Sequence, residues 1–171
     1  LLPKLVAGDT LRLAAGKYSH FTVSGRNGDP AKWITITGPE SGDPAVIEGD
    51  LGPCCNTVEI VNSSYVVIRK LTIDNRGVQS AFAVSAKSGV VHHIRIEDNR
   101  IVFTNADQQD VGISTKVPTW GWEIRRNRIE AAGTGMYLGN SDGNQPFLQG
   151  LIEGNLIINS IGYNMQIKQQ N

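Results

Sequence analysis

Only two cysteines occur in 171 residues, and they are neighbours, Cys54 and Cys55. A disulfide between adjacent residues is strained, so no disulfide framework is expected, and two thiols without further ligand spacing make no metal site. A surplus of one charge is also missing. Sixteen basic residues balance sixteen acidic ones, which removes any global electrostatic pull toward nucleic acid or an anionic membrane. No apolar run approaches the roughly 20 residues of a bilayer crossing. The opening Leu1-Leu2-Pro3-Lys4-Leu5 lacks the apolar core of a signal peptide. What remains, with 40% hydrophobic residues, is one domain with its own core, spanning 1–171.

The chain is self-similar. Isoleucines 68, 96, 124 and 152 are separated by a constant 28 residues, as are isoleucines 73, 101, 129 and 157. Asn99, Asn127 and Asn155 keep the same step, with Leu71 in the corresponding earlier place. Within each repeat apolar and polar residues alternate over short stretches rich in β-branched side chains, the two-residue period of a strand. One repeat is too short to bury its own apolar face, so stacking must build the core and each isoleucine column becomes an aliphatic stack. The asparagines read as a structural ladder. At a tight bend an asparagine can occupy the left-handed region and bond the matching amide one turn away.

A further strand recurs at Phe82–Ser85, Val111–Ser114, Met136–Gly139 and Met165–Lys168, with unequal spacing that loops must absorb. Upstream, Asp9–Leu13, His20–Val23, Trp33–Thr37 and Ala45–Glu48 read as strands between turn clusters such as Gly25–Pro30 and Pro39–Pro44. Residues 1–56 are therefore expected to form irregular first coils, and 57–171 regular coils of about 28 residues. The pattern predicts an all-β, right-handed parallel β-helix solenoid with three parallel sheets. A left-handed β-helix would need a hexapeptide period, and a leucine-rich repeat would need its own leucine spacing.

The opening Gly8-Asp9-Thr10-Leu11-Arg12-Leu13-Ala14-Ala15-Gly16-Lys17-Tyr18 and the later Trp33-Ile34-Thr35-Ile36-Thr37-Gly38-Pro39 resemble the first coils of the pectate-lyase-like superfamily. They are closest to its chondroitinase-B and alginate-lyase-like members. That resemblance covers essentially the whole chain. It implies a secreted or periplasmic protein whose partner is a polysaccharide or oligosaccharide, with the strand holding Ile113 or Leu138 in the first sheet of that fold, the usual sugar groove. The ends of the sequence lead to the expectation of a fragment of a longer solenoid, because no polar cap is visible after Lys168; missing coils, a partner chain in end-to-end self-association, or an unusual ending must cover that coil.

If Val84, Ile113, Leu138 and Ile167 point inward, alternation sends Ala83, Gly112, Tyr137 and Gln166 outward in one column, and Ser85, Ser114, Gly139 and Lys168 outward in the next. A polysaccharide lyase needs a base for the proton beside a uronate carboxylate, and a cation to neutralise that carboxylate. Lys168 is a candidate base, Tyr137 a base, acid or sugar platform, and Arg126 or Arg128 a carboxylate clamp. Gln166, Asn140, Trp120, Trp122 and Tyr163 are candidate sugar contacts, the aromatics by ring stacking. Phe147 belongs to the same aromatic set. No cofactor is required, but calcium is conceivable at Asp142 in the oxygen-rich loop Gly139–Gln145, or at Asp110 with Asp107 and Gln109. His92 and His93, as strand neighbours, are expected on opposite faces. The outward columns carry no aspartate cluster of the pectate-lyase or pectin-hydrolase kind. Two functions therefore stand at this point. One is a carbohydrate-active β-helix, a lyase of acidic polysaccharide; the other is a non-catalytic glycan-binding, adhesion or scaffold module.

Overall fold

The computed structural model describes residues 1–51, 56–78, 81–104 and 107–168, so Cys54 and Cys55 fall outside the described residues. The chain winds as a right-handed parallel β-helix, each turn laying one strand in each of three six-stranded sheets. Sheet A holds Thr10–Arg12, Ile34–Thr37, Ser64–Arg69, His92–Glu97, Glu123–Arg125 and Leu151–Glu153. Sheet B holds Gly16–Ser19, Ala45–Glu48, Leu71–Asp74, Arg100–Val102, Arg128–Glu130 and Leu156–Ile158. Sheet C holds Phe21–Ser24, Val58–Val61, Phe82–Ser88, Val111–Thr115, Thr134–Leu138 and Met165–Ile167. A small parallel pair, Thr119–Trp120 with Phe147–Leu148, is added beside them.

The two isoleucine columns are the spines of sheets A and B. Ile68, Ile96, Ile124 and Ile152 are direct partners, and so are Ile73, Ile101, Ile129 and Ile157. Fully buried members such as Ile96 and Ile101 each contribute about 1.5–3 kcal/mol of burial. The first coils are irregular in step but not in register. Leu11, Ile36 and Ile68 stand opposite one another although 25 and then 32 residues separate them, by subtraction of their numbers. The turn clusters between strands absorb the difference.

The asparagine ladder runs inside the corner between sheets A and B. The Asn99 backbone N–H and side-chain Nδ2 both donate to Asn127 Oδ1, each at 3.1 Å, while Nδ2 also donates to the Ile68 carbonyl. Asn127 repeats the pattern on Asn155 and Ile96, and Asn99 Oδ1 receives the Leu71 N–H. The left-handed residue is not the asparagine. It is the one before, at Lys70, Asp98, Arg126 and Gly154 (φ 54°, 57°, 50° and 63°). Reversing the chain one residue early leaves the asparagine side chain free to lie under the strand ends.

Sheet C departs from simple alternation at its entry. Ala83 is buried in the core, and a Cβ on Gly112 or Gly135 would collide with the backbone oxygen of the next turn and with Ile129 or Ile157. Both the entry residue and its successor, Val84, Ile113 or Met136, therefore face the interior. Only a tiny residue fits at the entry, which explains the Ala–Gly–Gly column and corrects the expectation that Ala83 and Gly112 face outward. The register also shifts. Ile113 stands opposite Met136, not Leu138, and Ser85, Ser114, Tyr137 and Gln166 form one outer column.

Candidate functional site

The outer face of sheet C brings several of the candidate side chains together. One position beyond the column of Ser85, Ser114, Tyr137 and Gln166 come an inward residue and then Lys87, Lys116, Gly139 and Lys168 on successive turns, continuing the pairings Thr115 with Ala86 and Leu138 with Ile167. Gly139 offers no side chain in that row. The lysines above and below lean over the neighbouring ring: Lys116 Nζ lies 3.8 Å from the Tyr137 centroid and Lys168 Nζ lies 4.9 Å from it. Tyr137, Gln166, Lys116 and Lys168 are all half-buried. Ser85 and Ser114 are fully buried, and their Oγ atoms have no hydrogen-bond partner among the described residues. Tyr137, Gln166 and Lys168, expected to share a face, do so. Lys116 was missed because the assumed register placed it beyond the strand, although its spacing from Lys87 carried the signal.

Arg126 is not part of this group. It sits at the corner between sheets A and B, with Nε 2.7 Å and Nη2 2.9 Å from the Asp98 carboxylate. This hydrogen-bonded pairing holds Asp98 below the usual carboxylate range and raises Arg126 further. Arg128 is on sheet B, bonded with Arg100 to Glu130. On sheet A, Arg69, Glu97, Arg125 and Glu153 alternate in sign down one column. Unlike charges directly opposite stabilise adjacent strands, so these arginines serve the solenoid.

The remaining candidates separate as well. Trp122 is fully buried, its Nε1–H donating to the Val91 carbonyl at 3.2 Å. It is a core residue and cannot stack on a sugar. Phe147 is also buried, whereas Tyr163 is exposed in the loop before Met165–Ile167. Asn140 Oδ1 accepts the Ser141 N–H, Asp142 Oδ1 accepts the Asn144 N–H, and Asp107 Oδ1 accepts the Gln109 N–H, each a local turn. Asp110 is buried before its sheet C strand, while Asp142 follows the end of the next. The two therefore flank opposite ends of the sheet. Among the described residues no three His, Cys, Asp or Glu side chains converge as a metal site.

His92 and His93 do meet, contrary to expectation. Their Nδ1 atoms are 2.7 Å apart, because His93 adopts a left-handed φ of 50° and breaks strand alternation. His92 stacks on Trp120 at 4.3 Å, and His93 stacks on Tyr65 at 4.6 Å. An Nδ1 to Nδ1 bond needs one proton; protonating both rings removes the acceptor and adds repulsion, with Arg95 on the same strand and stacked over Trp33 at 4.0 Å. Burial, then the His93 charge, lower His92 from its ordinary 6.5. A depressed folded value means that the stabilisation is present above 6.5 and is lost as pH falls through the folded value. Thermal unfolding midpoints should therefore drop on acidification below that pH, and drop less in His92→Phe. An equal drop in both proteins would show that the pair does not carry the effect.

Neither a family model nor a curated protein sequence matches the chain. Two solved structures do. One is an alginate lyase from Paenibacillus sp. str. FPU-7, 15% identical, covering 92% of this chain and 72% of its own, at TM-score 0.48. The other is a mannuronic acid specific polysaccharide family 6 lyase from human gut microbiota, 14% identical, covering 96% of this chain and 47% of its own, at TM-score 0.54. The chain thus spans about half the length of the second structure. At such identities the likeness shows the fold. The protein is a parallel β-helix, similar in fold to that family 6 lyase.

Proposed function

We propose that this protein is a carbohydrate-active β-helix that binds an acidic polysaccharide on the outer face of sheet C and cleaves it by β-elimination. The observation that carries the reading is the half-buried Tyr137 within reach of two lysine ammoniums on one face. The ammoniums occupy the ring, so its hydroxyl is what the site offers a sugar. In the reaction a base removes the proton beside the uronate carboxylate, the carbon–oxygen bond to the neighbouring sugar breaks, and a double bond forms. The leaving oxygen takes a proton. Tyr137 is assigned the proton transfer and Lys168 the charge that makes the carbon acidic. Gln166, on the next turn of the same column, is assigned a hydrogen bond to the sugar.

The alginate and mannuronate lyases among its structural relatives guide the choice of substrates. The test is ultraviolet absorbance of an unsaturated uronate product on alginate, pectate and glycosaminoglycans, with and without added calcium. Tyr137→Phe should lower kcat by about 10²–10⁴. A flat trace with every polymer, alongside binding of one of them, would favour the non-catalytic glycan-binding reading. The commitment of Arg126 and Arg128 to Asp98 and Glu130 is the observation on that side, since it removes both arginines expected to clamp a substrate carboxylate.

A further inference from the structure

We infer that Lys116 is the second anion-binding residue of the sheet C site and acts with Lys168 on a single sugar unit; this rests on the acidic-polysaccharide reading above. Lys116 and Lys168 lie two turns apart, about 10 Å along the solenoid at the usual spacing of adjacent strands. Their ammoniums nevertheless converge on Tyr137, at 3.8 Å and 4.9 Å from the ring centroid. The turn between them carries Gly139 at that position, so nothing intervenes in the row. Lys116 thus holds its charge against the ring with no carboxylate beside it among the described residues, a charge that an anion would relieve.

The company each cation keeps points the same way. Arg69, Arg95, Arg100, Arg125, Arg126 and Arg128 all pair with carboxylates. Lys116 has no carboxylate partner among the described residues, only the rings of Tyr137 and, more distantly, Phe82. A contact with an aromatic face is weaker than a charge-assisted bond to a carboxylate, so an arriving anion can draw Lys116 off the ring. The outer column beside it holds Ser85 and Ser114, whose buried hydroxyls lack partners among the described residues. Buried hydroxyls normally find one.

The experiment is isothermal titration of mannuronate and galacturonate oligosaccharides at two salt concentrations into the wild type, Lys116→Met, Lys116→Arg and Lys87→Gln. Lys116→Met should weaken binding about tenfold, the loss of one charge-assisted contact, and flatten the salt dependence. Lys116→Arg should retain most of the affinity, and so should Lys87→Gln, which changes an exposed lysine one turn away. Retention by Lys116→Arg also separates a binding defect from a folding one. If Lys116→Met matches the wild type in affinity and salt dependence, the role of Lys116 is overturned while the acidic-polysaccharide reading stands. If the wild type binds neither oligosaccharide, both are overturned.

Discussion

Asn127→Ala should destabilise the solenoid by about 3–5 kcal/mol, because one substitution strands several buried backbone and amide groups at about 1–3 kcal/mol each. Asn127 Oδ1 receives two N–H groups from Asn99, and its Nδ2 donates to the Ile96 carbonyl and to Asn155. Asn99 and Asn127 are almost completely buried, so bulk solvent does not reach these groups. Asn155→Ala should cost less, as that residue is only partly buried. Urea denaturation followed by circular dichroism measures both. A loss under about 1 kcal/mol for Asn127→Ala would mean that the ladder is incidental to stability. Asn127→Asp should also destabilise, because it keeps the shape but loses the donor to Ile96 and Asn155 and buries a carboxylate against their oxygens.

The fold was legible because stacking forces identical positions to recur. Ile68, Ile96, Ile124 and Ile152 must face one another, and so the 28-residue step survives in sequence. Sheet C was legible only in outline. The loops feeding its strands differ in length, so spacing could not decide whether Ile113 meets Met136 or Leu138, and the error concealed Lys116 while leaving Tyr137 correctly outward. Local backbone reversals were the other blind spot. Alternation holds only while φ stays extended, and the left-handed residues His93 and Gly121 turn neighbours onto unexpected faces. A histidine can visit that region at modest cost, so nothing in its side chain announced the His92–His93 bond. Arg126 misled for a different reason: an arginine suited to a substrate carboxylate is equally suited to Asp98, and only the fold says which is near.

Trp122→Ala should be the other severe substitution, at about 3–5 kcal/mol for emptying the space of a buried large aromatic. Trp120, two residues earlier, should behave differently. A regular strand would put both rings on one side, but Gly121, with φ of 65°, reverses the chain between them. Trp122 then enters the core against the Val91 carbonyl, while Trp120 remains half-exposed with one face on His92. Trp120→Ala forfeits that stacking contact and partial burial, about 1–2 kcal/mol. Trp122→Phe retains most of the packing and loses the indole N–H bond, at about 1 kcal/mol. Chemical denaturation of the three variants should thus rank Trp122→Ala well below the others. Equal costs for Trp122→Ala and Trp120→Ala would contradict the burial assigned to Trp122 and return it to the surface, where a sugar could reach it.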